Sequence, residues 1–191
     1  MCMFKSMLLL KDKVFCPNYD SHEDIINETG MEHGPMRENF VRVEITPPDD
    51  DLTVPIDKWK YKVDQDYLPE WYVEEVDKPR CFDALKAWAV KHILVGQDVP
   101  KVEQGEFVVL VNCNTGIVKG TVKVYGGTVQ EVWDGTVEVL GGTVQEAWCG
   151  TVEVYRGTVQ EQFGGIVIYA DGHISVCNKN FYRLITPEEM K

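Results

Sequence analysis

Several common signatures are missing from this chain. Its six cysteines, Cys2, Cys16, Cys81, Cys113, Cys149 and Cys177, form no C-x-x-C pair. That spacing excludes a compact zinc ribbon and a tight disulfide framework, and it fits a reducing compartment. No run of 18 apolar residues occurs, so no membrane-spanning helix is expected. The apolar run at 7–10 is short and bracketed by Lys5, Lys11 and Lys13, which is not the pattern of a signal peptide. Basic charge is scarce: 19 Lys and Arg stand against 31 Asp and Glu, a net of -12. Binding nucleic acid through its phosphates needs clustered Lys and Arg and is therefore excluded. A cytoplasmic protein without a cofactor is the expectation.

Glycine, by contrast, is placed with great regularity. Residues 120–165 read GTVKVYGGTVQEVWDGTVEVLGGTVQEAWCGTVEVYRGTVQEQFGG. Gly120, Gly127, Gly135, Gly142, Gly150, Gly157 and Gly165 alternate between steps of seven and eight, a 15-residue unit in two unequal halves. One half is G-T-V-x-V-x-x, and the other is G-T-V-Q-E-x-aromatic-x. Thr and Val favour strands, and six or seven residues between glycines leave no room for a helix. A period this short implies stacked units that bury a core only together. The predicted fold of this part is an all-β solenoid of 15-residue coils, with two short strands per coil. Three valine columns form its core: Val122/Val137/Val152, Val129/Val144/Val159 and Val124/Val139/Val154. The longer half needs a bulge or corner near Gln130 and Glu131. Gly105, the run 107–111, Val167 and Ile174 extend the period outward, which places about five coils at 105–177.

Residues 1–100 carry no repeat and read as an α+β head of order β-β-α-β-β-α. FKSMLLL and VFCPN flank the turn Lys11-Asp12-Lys13. SHEDIINETG is a short helix with Ser21 as N-cap, Asp24 three residues on, and Gly30 as its stop. FVRVEI and WKYKVD alternate as antiparallel neighbours with charged outer faces. A second helix is expected over 78–94, with Pro79 near its start and Phe82, Leu85, Ala89 and Ile93 on one stripe.

Few residues suggest chemistry. If Met1 is removed, Cys2 would hold a free α-amine and could act as an N-terminal nucleophile, with His22, Glu23, Asp64 and Asp66 as candidate partners. The plainer reading is a Cys in the first strand. Ser21-His22-Glu23 cannot form a nucleophile–base–acid trio on one helical turn, so capping explains it better. Asp64-Gln65-Asp66 has the spacing of oxygen ligands but no glycine-centred loop follows, so a solvated strand end is expected. Cys2, Cys16 and His22 match no zinc spacing, and no metal site is assigned. In the solenoid, Glu131, Glu146 and Glu161 should splay into water. Trp133, Trp148 and Phe163 form one aromatic column, and Tyr125 and Tyr155 flank Leu140 in another. Packed at corners, they are structural; exposed, they are a protein-binding stripe, because Trp and Tyr dominate interface hot spots. The Thr columns lack the paired T-x-T array of ice-binding solenoids.

MCMFKSMLLLKDKVFCPNYDSHEDII, FVRVEITPP, WKYKVDQDYLPEWYVEE and the GTV tail together resemble a family of phage, prophage and gut-bacterial proteins of uncharacterised activity. Its members begin Met-Cys, carry Ser-His-Glu and Asp-Gln-Asp…Pro-x-Trp segments, and end in repeats of variable number. The resemblance implies a mobile-element origin and a bacterial host cytoplasm, and it assigns no residue a role. The resulting expectation is a non-enzymatic module that binds a host or phage protein, such as one of a host defence system. Alternatives are an enzyme using Cys2 and a self-assembling structural protein. Residues 178–191, with Phe181, Tyr182, Leu184 and Ile185, are read as a cap or contact segment. They would join two chains as a homodimer through the C-terminal coils.

Overall fold

A computed structural model describes residues 5–31 and 39–177, which divide between a unit within 1–92 and a unit from Ile93 onward. Each unit has its own core.

In the first unit, β1 (Lys5–Leu9), β2 (Val14–Phe15), β3 (Val41–Thr46) and β4 (Lys60–Val63) form an antiparallel sheet in the order β2-β1-β3-β4. Helices α1 (His22–Thr29) and α2 (Glu74–His92) pack against it. β1 is buried along its whole length because it is central and covered on both faces. Leu8 meets Ile25 and Ile26 of α1. On the opposite face, Lys5 lies over the Trp88 ring of α2, 5.0 Å from its centroid. β3 alternates as expected, with Val41, Val43 and Ile45 buried. α1 is capped as its sequence implies. Ser21 accepts from the Asp24 N–H, and Gly30 closes the helix at φ 64°.

The second helix differs from expectation at both ends. It begins at Glu74, so Pro79 lies inside it, not near its start. The first turn is acidic, which suits the positive end of the helix dipole. The buried Asp77 carboxylate also accepts the Val73 N–H at 2.9 Å and pairs with Arg80 at 2.5 Å. The helix stops at His92, and Ile93 belongs to a strand.

That strand is β5 (Ile93–Val95), already the first rung of the solenoid, ahead of Gly105. It is followed by β6 (Asp98–Val102), β7 (Phe107–Val111), β8 (Cys113–Val118), β9 (Thr121–Val132), β10 (Thr136–Ala147), β11 (Thr151–Val154), β12 (Thr158–Gln162), β13 (Ile166–Tyr169) and β14 (Ile174–Val176). β9 and β10 each run through both halves of a coil. One parallel ladder joins β5, β7, β9, β10, β11 and β13; the other joins β6, β8, β9, β10 and β12. The solenoid has about five turns, ending at Tyr169. Within the exact repeats the step is 15: Val122 pairs with Val137 and Val137 with Val152. Earlier the step is 16 from Ile93 to Val109 and then 14 from Phe107 to Thr121, so the two irregular coils compensate.

The valine columns line the interior. Val122, Val129, Val137, Val139 and Val144 are wholly buried. Val129 and Val132 both point inward although three residues apart, with Gln130 exposed between them. The same spacing recurs at Val144 and Ala147. The extra residue of the longer half is thus absorbed at Gln130–Glu131. The end of the solenoid departs from expectation. Ile174 does not continue the Val159 column. The chain reverses at Asp171-Gly172, and β14 returns antiparallel to β13, leaving Ile174 56% exposed. An Asp-Gly pair is a strong hairpin signal and outweighs the period there.

Glycine is required at the corners for two reasons. Gly150 has φ 78°, and a Cβ placed there would stand 2.5 Å from the Gly135 carbonyl oxygen of the coil before. Gly142 is alike, at φ 94° and 2.5 Å from the Gly127 oxygen. Gly172, with φ 85°, has open space around it. Gly150→Ala should therefore lower stability by about 2 kcal/mol or more, and Gly172→Ala by about 1 kcal/mol. Chemical denaturation of the two variants checks this order.

Thr115 is the one polar residue in a column otherwise made of Val99, Val129, Val144 and Val159. Its hydroxyl is buried and has no hydrogen-bond partner among the described residues. Thr115→Val keeps the shape and removes the unsatisfied oxygen. The variant should gain about 1 kcal/mol, read as a higher denaturation midpoint at unchanged slope.

Candidate functional site

Two places collect the residues singled out above. The first is the aromatic column of the solenoid. Trp133 and Trp148 stack with centroids 5.8 Å apart and planes 21° apart; Trp148 and Phe163 stack at 4.4 Å and 23°. The column exists because the residues after Val132, Ala147 and Gln162 leave the ladder at the same level of successive coils. Trp133, at the open end, is 46% exposed. The rings are oriented by acids. Each indole N–H donates to the carboxylate two residues earlier, Trp133 to Glu131 and Trp148 to Glu146, the latter at 2.9 Å. Tyr155 repeats the device from the other half of the coil, donating its hydroxyl to Glu153 at 3.0 Å. Glu131 and Glu146 are therefore half-buried partners of aromatic rings and do not simply splay into water, whereas Glu161 is exposed. The E-x-W and E-x-Y spacings carried this signal in the sequence. Tyr125 is half-buried and Tyr155 is 38% exposed.

The second place is the sheet of the first unit. His22 opens α1, and its ring is 5% exposed. Its Nε2 lies 3.1 Å from the Val43 carbonyl oxygen, which can only accept, so Nε2 carries the proton. Nδ1 then faces Asp64, 3.9 Å from Oδ2. Glu44 completes a group whose donor atoms lie within 4.8 Å of one another. Lys62 spans the two acids, 2.7 Å from Asp64 and 3.4 Å from Glu44. The hydrogen bond from Lys62 holds the Asp64 carboxyl below its ordinary range, with His22 and Arg42 adding to the effect. Asp64 and Glu44 raise Lys62 in turn. Of the suggested partners of Cys2, His22 and Asp64 thus come together. Asp66 is exposed in the loop after β4. Glu44, three residues into an alternating strand, was not singled out by sequence reasoning.

Gln65, between the two acids, has a separate task. Its side-chain amide accepts the Arg42 N–H at 2.9 Å and donates to the Tyr67 carbonyl at 2.6 Å, standing in for a rung of the β3–β4 ladder. Cys2 lies outside the described residues, as do Phe181, Tyr182, Leu184 and Ile185. Burial pushes the Cys16 thiol up to about 11 and Cys81 up to about 12, which suppresses their thiolates at neutral pH. A cleft of about 420 Å³ beside α2 is lined by Asp57, Glu74, Phe82 and Lys86 among others, and contains none of the candidate residues. Among the described residues, no helix is long and apolar enough to cross a membrane.

No protein-family model, curated protein or solved structure matches this chain.

The stack makes a graded prediction. Trp148 touches two rings and Trp133 one. Each stacked pair contributes about 0.5–1.5 kcal/mol beyond area burial. Trp148→Ala should therefore destabilise more than Trp133→Ala, and both should abolish the indole–indole exciton couplet in far-ultraviolet circular dichroism. An unchanged couplet in either variant would contradict the stacking geometry.

Proposed function

We propose that the protein is a binding module for another protein, with the solenoid's aromatic column as its contact surface. The observation that supports this reading is the stacked column Trp133–Trp148–Phe163, ending on a ring that is 46% exposed. Trp is the residue most enriched in interface hot spots, and a ring already held by its neighbour loses little freedom on binding. The Glu131, Glu146 and Glu161 column beside it sets the chemistry of the partner. A basic surface suits it, with Arg stacking on the indole face and pairing with the acids. The resemblance to phage and gut-bacterial proteins supplies the setting, a bacterial cytoplasm in which the partner is a host or phage protein, such as a component of a defence system.

The test is a comparison of immobilised wild-type protein with Trp133→Ala in a host extract. A protein that the wild type retains and the folded variant loses supports the reading. Equal retention by both removes the column as the contact. The rival enzyme reading, with Cys2 as nucleophile, meets a simpler test. A purified mass that includes Met1 leaves no free α-amine on Cys2.

Self-association through the C-terminal coils belongs to the same reading. β14 carries Ile174 and Val176 more than half exposed on its edge, and an open edge invites pairing. Light scattering should return a dimer mass for the full chain. A monomer mass at micromolar concentration rejects this contact.

A further inference from the structure

The geometry points to a divalent transition-metal site formed by His22, Glu44 and Asp64. Three independent elements supply the donors: the first residue of α1, the middle of β3, and the residue that follows β4. Two half-buried acids alone would mean little, because acidic groups gather on many surfaces. The histidine is what makes this group a candidate. Its ring is 95% buried, taking 5% exposure from the whole, and cannot turn toward solvent. One nitrogen is committed to the Val43 carbonyl. The other, Nδ1, is aimed at the acids. Its separation of 3.9 Å from Asp64 is too long for a hydrogen bond. Metal-bound histidines are held in this same way, with the second ring N–H donated to a backbone carbonyl or a carboxylate.

The spacing also suits one shared ion. Zinc binds imidazole nitrogen and carboxylate oxygen at about 2.0–2.2 Å, so two ligands on one ion lie about 3–4 Å apart. A span of up to 4.8 Å closes with small rotations of the two carboxylates, of which Asp64, 39% exposed at a strand end, has the more room. One nitrogen and two carboxylates favour zinc or manganese over calcium and magnesium, which prefer all-oxygen shells. Three protein ligands leave at least one position for water, as in zinc sites that act on substrates.

Lys62 is the apparent obstacle and becomes the control. Its ammonium bridges Glu44 and Asp64, where a cation would sit. The side chain is long and 62% exposed, so it can swing into water and yield to an ion of higher charge. Lys62 then acts as a competitor for the site.

The experiment is titration calorimetry of the full chain, treated first with a chelator, using zinc chloride and manganese chloride separately. The expected result is one site for at least one ion, with a rise in melting temperature on loading. Asp64→Asn, on an exposed side chain that leaves the core intact, should weaken binding about tenfold or more and abolish that rise. Glu44→Gln and His22→Gln should do the same, each checked for folding by its metal-free melt. Lys62→Ala should tighten binding several-fold. The proposal is overturned if neither ion binds the wild type. It is also overturned if Asp64→Asn and Glu44→Gln bind as the wild type does, or if Lys62→Ala weakens the site.

Discussion

Successive coils of the solenoid meet at corners where no Cβ atom fits, and the rest of that unit follows from this close approach. At Gly150 and Gly142 the carbonyl of the previous coil occupies the space where a side chain would begin. The backbone also passes through the left-handed region there, which only glycine enters without strain. Because every exact repeat carries glycine at both corners, the coils stack at a constant step of 15. Constant register then places like over like. The interior fills with valine, and the exterior acquires columns of identical chemistry. The aromatic column and its row of acids are a consequence of that stacking.

Columns of like residues create both risk and use. Stacked valines bury one another, with only Val159 of the three columns left partly exposed. Stacked carboxylates repel, and the chain relieves this by giving Glu131 and Glu146 to the indoles beside them. On the other half of the coil, Lys123 replaces the first acid of the column and pairs with Glu138 at 3.3 Å. The same side chains that manage charge thus hold the rings in place, and the surface is organised by the chain's own contacts.

Where the sequence pattern failed, a local rule had overridden a longer one. The first coil was missed because β6 contains Pro100 and lacks the G-T-V triplet. Proline is tolerated there because β6 is the end strand of its ladder, where a missing N–H breaks no necessary rung. The last coil was overextended because Ile174 falls on the 15-residue period, yet Asp171-Gly172 turns the chain back. The start of α2 was placed too late because Pro79 normally opens a helix. The charge pattern Glu74-Glu75-Val76-Asp77 opened it one turn earlier, with Asp77 closing on the Val73 N–H.

The amino-acid sequence by itself determined the solenoid, its period, its valine columns, its aromatic column and the β-β-α-β-β-α order of the first unit. These depend on contacts between residues at fixed, short separations, and a repeat prints such contacts directly into the text. The grouping of His22, Glu44 and Asp64 was decided only by tertiary structure. Nothing in the spacing of these residues links a helix start to two strands further along the chain. They converge because Val43 pairs with Val63 and Glu44 with Lys62 across the β3–β4 ladder. The Val43 carbonyl then fixes the ring of a helix packed on the same sheet. Strand pairing selects its partner through the burial of an entire face, and that choice is made by the folded core as a whole.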